Sequence, residues 1–246
     1  MPTDVNGKGK IFLDRYERTL VITMSNTLDN IIDTESLQAI ISSISSMTDD
    51  TDSIVLFGSG GRSFSVGYDG SCKRIQERGH MKNIYEMGFT ISRMLASIDV
   101  PVFALVDGLT LGMGMEFALS CDMIISSRKS RFGMPDFRYG LPSLTGVISS
   151  VLETYGKRAY GMLMSGEIFD AATAFDIGVV SRIVEGKEFF RSSMEYVRSI
   201  NLELMSFYKR ENMRFSQSVN ADRLLMDFYD LTRIRLKELE VFRSTL

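Results

Sequence analysis

The sequence has few of the residues that carry much of enzyme chemistry. Of 246 residues only two are cysteines, Cys72 and Cys121, and one is a histidine, His80. The cysteines are far apart and lack Cys or His neighbours, so a structural zinc site is excluded and no bound metal is expected. A Ser-His-Asp or Cys-His arrangement would have to use His80, which lies beside Gly79 in a polar turn where we expect it to be solvated. Cysteines this sparse are typical of a reducing cytoplasm.

The sequence also lacks long apolar runs and an excess of positive charge. The formal net charge is −3 and the sequence pI is about 5.4, which argues against a general nucleic-acid-binding protein. The first ten residues contain no apolar core, and no later stretch approaches a membrane span, so we expect neither a signal peptide nor a transmembrane helix. A chain of this length can bury roughly three quarters of its unfolded surface, which suffices for a stable core.

Apolar patterning predicts an α/β protein in the first two thirds of the chain. Asp33 is a predicted helix N-cap, with Glu35 in the first turn, and a longer amphipathic helix is predicted over residues 82–98. The predicted strands are short apolar runs bounded by turn residues. They cover residues 11–16, 19–24, 53–57, 102–106 and 123–126.

The remainder of the chain, from Leu144 onward, is predicted to be mostly helical, with one strand over residues 179–184 after Gly178. Residues 222–242 carry an apolar stripe at helical spacing. No Pro/Ser-rich linker or change in composition divides the chain. We therefore predict a single domain over residues 1–246, with a core over about 1–190 and a helical region over about 191–246.

Two glycine-bearing segments each follow a predicted buried strand, where glycine permits positive φ or close backbone approach to a ligand. They are residues 62–69, RSFSVGYD, and residues 107–116, DGLTLGMGME. Gly112-Met113-Gly114 is not a dinucleotide-binding loop, because Phe117 stands where the third glycine would be, and no Walker lysine follows.

The two segments resemble motifs of the crotonase (enoyl-CoA hydratase/isomerase) superfamily. Residues 64–69 are similar to F-[SC]-x-G-x-D, and residues 101–116 to its strand-turn-helix P-V-I-A-A-V-N-G-x-x-x-G-G-G-x-E. Further motifs match in order: Cys121-Asp122, residues 131–136 and 140–142, and the Ser165-Gly166 to Val180 stretch. The resemblance covers roughly residues 11–184.

The resemblance implies a spiral of β-β-α turns with a helical C-terminal trimerisation region. It also implies an oxyanion hole made by the backbone N–H groups of Tyr68 and Met113. Such donors, aimed at the oxygen that becomes negative in a thioester enolate, stabilise it by about 3–4 kcal/mol each in comparable systems. Met113 lies where a helix is predicted to begin, so its dipole would add to the positive potential. Substrate or CoA contacts are expected from Arg62, Phe64, Ser65, Gly67, Asp69, Lys73, Gly112 and Gly114.

Two carboxylates are the candidate catalytic groups. Glu116 and Asp136 occupy the positions that hold glutamates in the hydratases, and neighbouring carboxyls in a partly apolar pocket can divide into one acid and one base. Asp136 is one methylene shorter than glutamate, and Ser143-Leu144 replaces the usual glycines after Pro142. Each carboxylate could also be a plain surface group.

The expected activity is therefore hydration of a 2-enoyl-CoA. The alternatives are double-bond isomerisation, then thioester hydrolysis or decarboxylation, and a catalytically silent CoA-ester-binding subunit. The coenzyme A ester would be the substrate, with no further cofactor. We expect a homotrimer or hexamer that binds neither nucleic acid nor membrane. The sequence leaves the acyl group and the pathway open.

Overall fold

The computed structural model describes residues 3–5, 7–69, 78–186 and 188–215. Two β-sheets and seven α-helices make up this part of the chain. Lys73 and the apolar stripe over residues 222–242 lie outside it.

The first part of the chain forms an antiparallel ribbon and the first crossover helix. Strands β1 (Thr3–Asp4), β2 (Ile11–Tyr16) and β3 (Thr19–Met24) pair antiparallel in order, with Ile11 opposite Met24 and Tyr16 opposite Thr19. Helix α1 (Thr34–Ser45) begins after Asp33, whose carboxylate accepts a hydrogen bond from the backbone N–H of Ser36 at 2.8 Å. Asp33 is thus the N-cap that the sequence predicts.

Three successive turns of the chain then repeat the pattern strand, short strand, helix. The first is β4 (Ser53–Gly58), β5 (Ser63–Ser65) and α2 (Arg78–Ser97). The second is β6 (Val102–Val106), β7 (Leu109–Leu111) and α3 (Met113–Leu119). The third is β8 (Met123–Ser127), β9 (Arg131–Gly133), a 3-10 helix (Pro135–Tyr139) and α4 (Ile148–Met164). These turns are the β-β-α spiral expected from the sequence.

The remaining described elements are short. Strand β10 (Ile168–Asp170) leads into α5 (Ala171–Asp176), and β11 (Arg182–Val184) is followed by α6 (Phe189–Ser199) and α7 (Leu202–Phe215). Strand β10 was predicted as part of a helical stretch, and the strand predicted over 179–184 shrinks to its last three residues. Strand β10 forms only because it pairs with β9, which is distant in sequence. Strand β11 extends only over the three residues that pair with β8.

The two sheets run side by side through the spiral. The large sheet has the order β1-β2-β3-β4-β6-β8-β11 and is parallel from β3 onward. The small sheet has the order β10-β9-β7-β5. Strand β6 is buried on both faces: Ala104 packs into the core beneath α1 and α2, and Phe103 faces Phe189 and Val197 of α6. This burial explains why β6 is apolar throughout. Strands β5, β7 and β9 are parallel neighbours in the small sheet, so the segments that follow them leave from the same edge of that sheet.

Candidate active site

The segment after β5 is fixed by residues 29–32, which run beside it. The backbone N–H of Ile32 donates to the carbonyl of Gly67 at 2.8 Å, and the N–H of Asp69 donates to the carbonyl of Ile32 at 2.9 Å. The Gly67 carbonyl and the Tyr68 N–H belong to one planar trans peptide, in which the two groups point in opposite directions. The N–H of Tyr68 therefore points away from Ile32.

Ser65 stabilises the same loop from inside. Its hydroxyl donates to the carbonyl of Asn30 at 2.7 Å and accepts from the N–H of Gly67 at 3.0 Å. Both Ser65 and Phe64 are fully buried, and Phe64 lies in the main core. Substrate contacts were expected from the Phe64 and Ser65 side chains. In the structure these side chains instead pack within the protein and hold the loop.

The two proposed oxyanion donors lie on segments that touch at Gly67. A Cβ atom on Gly67 would lie 2.9 Å from the backbone nitrogen of Met113 and 3.0 Å from the carbonyl oxygen of Leu111. Gly67 also has φ +97°, a conformation that favours glycine. Glycine at this position thus lets the peptide before Tyr68 approach the start of α3, where Met113 is the first helical residue.

Helix α3 is held against β5 by a second close approach. A Cβ atom on Gly114 would lie 2.4 Å from the carbonyl oxygen of Ser65. Gly112, with φ +51°, precedes the helix, and its N–H donates to the carbonyl of Gly133 at 3.2 Å. The glycines of the second motif therefore fix the place of Met113 relative to the first motif.

Asp136 lies at this junction. It is the second residue of the 3-10 helix, and its Oδ2 would be 2.7 Å from a Cβ atom on Gly112, the residue before Met113. The Asp136 residue is exposed, yet the protein atoms around the carboxylate partly desolvate it, which raises its pKa. Its carboxylate accepts no hydrogen bond from the residues that the structure describes.

Glu116 lies three residues after Met113 in α3, and its environment differs from that of Asp136. The residue is buried, and its carboxylate accepts hydrogen bonds from the Ser143 hydroxyl, the Leu144 N–H, and the N–H and hydroxyl of Thr145. Burial raises the pKa of Glu116, and these four donors act in the opposite direction. The sequence offered one signal for these partners, Ser143, which has a hydroxyl group and stands with Leu144 in place of the usual glycines after Pro142.

The structure corrects the sequence-based prediction for His80. It lies in α2 rather than in a polar turn, is only partly exposed, and its Nε2 is 2.6 Å from the hydroxyl of Tyr68. The prediction failed because contact with the distant loop at Tyr68 is not visible in local composition. The side chain of the proposed oxyanion residue is thereby fastened to α2.

Of the two basic residues expected to contact coenzyme A, Arg62 and Lys73, the structure describes Arg62. Arg62 forms an ion pair with Asp29, Nε to Oδ1 at 2.8 Å, and its side chain is exposed. Lys129 donates to the carbonyl of Gly61, the residue before Arg62, at 2.7 Å and lies 3.2 Å from Asp107. Lys73 lies outside the described residues.

Comparison with known proteins identifies the family. The sequence model described as Enoyl-CoA hydratase/isomerase matches residues 14–227. The chain belongs to the enoyl-CoA hydratase/isomerase family. This confirms the crotonase-superfamily membership that the two glycine motifs predict.

Several members of the family are similar over most of their length. A crotonyl-CoA hydratase of Syntrophomonas wolfei is 26% identical over 182 residues, 72% of this chain and 70% of the relative. A short-chain-enoyl-CoA hydratase of Clostridium acetobutylicum is 26% identical over 194 residues, 77% of this chain and 74% of the relative.

Solved structures share the fold. An enoyl-CoA hydratase from Mycobacterium avium subsp. paratuberculosis superposes with a TM-score of 0.78 at 21% identity and covers 94% of each chain. Pseudomonas aeruginosa DspI superposes with a TM-score of 0.78 at 22% identity, over 96% of this chain and 98% of that one. These likenesses confirm the α/β spiral predicted from the sequence.

None of the helices in the described part of the chain is long and apolar enough to cross a membrane. Among the same residues, no three or more His, Cys, Asp or Glu side chains form a group that could hold a metal ion.

Proposed function

We propose that this protein is an enoyl-CoA hydratase, which adds water across the C2=C3 double bond of a trans-2-enoyl-CoA. The observation that carries the proposal is the approach of three groups at one point: the Tyr68 peptide, the N-terminus of α3 at Met113, and the Asp136 carboxylate against Gly112. The names of the hydratases to which the chain is similar support the same activity.

In this proposal the thioester oxygen lies between the N–H groups of Tyr68 and Met113. When the water oxygen bonds to C3, the C2=C3 electron pair moves toward the thioester and produces an enolate, whose negative oxygen these donors stabilise. Asp136 takes the water proton as the C–O bond forms and delivers a proton to C2. The reaction transfers no electrons to or from an external acceptor, so it needs no redox cofactor.

The raised pKa of Asp136 suits this role. A carboxylate that is partly desolvated is a stronger base than one in free solution, and its conjugate acid then protonates C2. We propose that Arg62, Asp69 and Lys73 contact the coenzyme A portion, and that Gly112 and Gly114 allow the thioester to approach the backbone. We further propose that the protein assembles as a homotrimer or a hexamer of two trimers.

One observation favours double-bond isomerisation as a second candidate. The four hydrogen bonds that Glu116 accepts leave Asp136 as the carboxylate without described donors. A single carboxylate suffices to take a proton from C2 of a trans-3-enoyl-CoA and return it to C4, through a dienolate whose oxygen the same two N–H groups would stabilise.

The deciding experiment assays the purified protein on a trans-2-enoyl-CoA and on a trans-3-enoyl-CoA of equal chain length. Loss of the conjugated thioester with formation of the 3-hydroxyacyl ester supports the hydratase. Appearance of the conjugated thioester from the 3-enoyl ester alone supports the isomerase. Free coenzyme A would indicate a hydrolase, and binding without turnover of either ester would indicate a silent subunit and contradict the proposal.

A further inference from the structure

The Glu116 carboxylate accepts four hydrogen bonds inside the protein. Oε2 accepts from the Ser143 hydroxyl at 2.8 Å, the Thr145 N–H at 2.7 Å and the Thr145 hydroxyl at 2.6 Å, and Oε1 accepts from the Leu144 N–H at 3.1 Å. Each oxygen of an ionised carboxylate offers about two acceptor sites, so Oε2 is fully occupied and Oε1 retains one. Proton exchange at Oε2 would break one of these bonds, and exchange at Oε1 would require the substrate to reach a residue that is only 2% exposed.

The three residues that bind Glu116 form one loop, which packs against α2 and against the Met113 side chain. A Cβ atom on Gly88 of α2 would lie 2.7 Å from the Leu144 carbonyl oxygen, 3.2 Å from Cε of Met113 and 3.4 Å from Cγ2 of Thr145. Glu116 lies three residues after Met113 in the same helix. Its hydrogen bonds therefore tie the first turn of α3, which carries the proposed oxyanion donor, to the 143–145 loop.

The loop has its own reinforcement. The N–H of Gly146 donates to the Ser143 hydroxyl at 3.0 Å, and Gly146 has φ +76°. Ser143 thus accepts from Gly146 while it donates to Glu116. Loss of the Glu116 carboxylate would leave buried donors of Thr145 without a partner, which costs more than a hydrogen bond contributes.

We propose that Glu116 is a positioning residue, which holds the 143–145 loop and the start of α3 in register, and that Asp136 alone exchanges protons with the substrate. The inference rests on the proposed function and assigns its chemistry to one carboxylate. It differs from the two-carboxylate scheme implied by the family resemblance, in which Glu116 shares a water with Asp136.

The test compares Glu116→Gln, Thr145→Val, their double variant and Asp136→Asn. The measurements are kcat/KM against pH on a trans-2-enoyl-CoA, and exchange of the C2 hydrogens of a saturated acyl-CoA in deuterated water. We expect Asp136→Asn to lose the exchange and the acidic limb of the pH profile. Glu116→Gln and Thr145→Val should each keep both, with kcat/KM lowered by about two- to tenfold. The double variant should have the same kcat/KM as the less active of the two single variants, because the two substitutions disrupt the same interaction.

Thr90→Val is the matched control, since the Thr90 hydroxyl is exposed on α2 and donates only to the Glu86 carbonyl at 2.7 Å. The inference is wrong if Glu116→Gln loses exchange and the acidic limb while Thr145→Val behaves as wild type. Thr145→Val retains Glu116, so a wild-type rate in that variant contradicts the inference even where Glu116→Gln does not fold. Wild-type protein inactive on every enoyl-CoA would overturn the proposed function itself, and the inference with it.

Discussion

Thr145 binds Glu116 twice, with its backbone N–H at 2.7 Å and its hydroxyl at 2.6 Å from the same carboxylate oxygen. This pair joins a loop to the helix that begins at Met113, and both partners are fully buried. The carboxylate exposed to solvent near Met113 is instead that of Asp136.

The first prediction concerns the pH dependence of Asp136. As the base it must be ionised, and because desolvation raises its pKa, activity should fall on acidification at a higher pH than for a fully solvated aspartate. Asp136→Asn should lower kcat/KM by about 100-fold or more and flatten this limb. Steady-state rates across pH on a 2-enoyl-CoA measure both effects. An unchanged acidic limb in the variant would exclude Asp136 as the titrating group.

A second prediction separates the backbone of Met113 from its side chain. Met113→Pro removes the proposed donor N–H at the first position of α3, where proline is tolerated, and should abolish turnover in a folded protein. Met113→Leu keeps the N–H and should retain most of the activity. Circular dichroism checks folding, and a fully active proline variant would remove Met113 from the oxyanion hole.

Gly67→Ala provides a third prediction, because the added methyl would lie 2.9 Å from the Met113 nitrogen and φ is +97°. We expect the hole to be displaced, with a loss of kcat/KM larger than any loss of substrate affinity. Gly161→Ala is the control, since Gly161 lies in α4 with open space around it. That control should stabilise the fold by about 0.5–1 kcal/mol and leave activity unchanged. Equal activity of the two variants would contradict the proposed contact.

The fourth prediction concerns an ion pair between a buried lysine of α7 and Asp122. The Lys209 ammonium of α7 donates to Asp122 at 2.7 Å and to the carbonyls of Leu95 and Val100, and its side chain is 7% exposed. Lys209→Met should lower the free energy of unfolding by roughly 2–3 kcal/mol, since Asp122 loses its charge partner but is partly solvated. Arg191→Met, in an exposed pair with Glu195, should change it by about 0.5 kcal/mol or less. Denaturant unfolding distinguishes the two outcomes.

Assembly is the subject of the fifth prediction. The apolar stripe over residues 222–242 and the family resemblance favour a homotrimer or a hexamer of two trimers. Sedimentation velocity at micromolar concentration should show one of these species. A monomer at that concentration would contradict the proposal.

The local sequence was sufficient for the elements that form from their own residues. The apolar run Val102–Val106 follows Pro101 and precedes Gly108, and it is strand β6 with the predicted bounds. Asp33 caps α1 as predicted, because an N-cap needs only a side-chain acceptor three residues before its donor. The short strand Ile168–Asp170 was missed, since it has no hydrogen-bonding partner until β9 lies beside it.

From the sequence, the resemblance of two glycine motifs to those of the crotonase superfamily also implied the Tyr68 and Met113 N–H groups as oxyanion donors, and glycine in such motifs permits close backbone approach. Only the tertiary structure decided how the two carboxylates differ. Glu116 and Asp136 are both acidic residues near glycine motifs, but their environments are set by segments distant in sequence: the 143–145 loop encloses Glu116, and the backbone at Gly112 borders Asp136. The proton affinity of a carboxylate depends on burial and on nearby donors, and these exist only once the chain has folded.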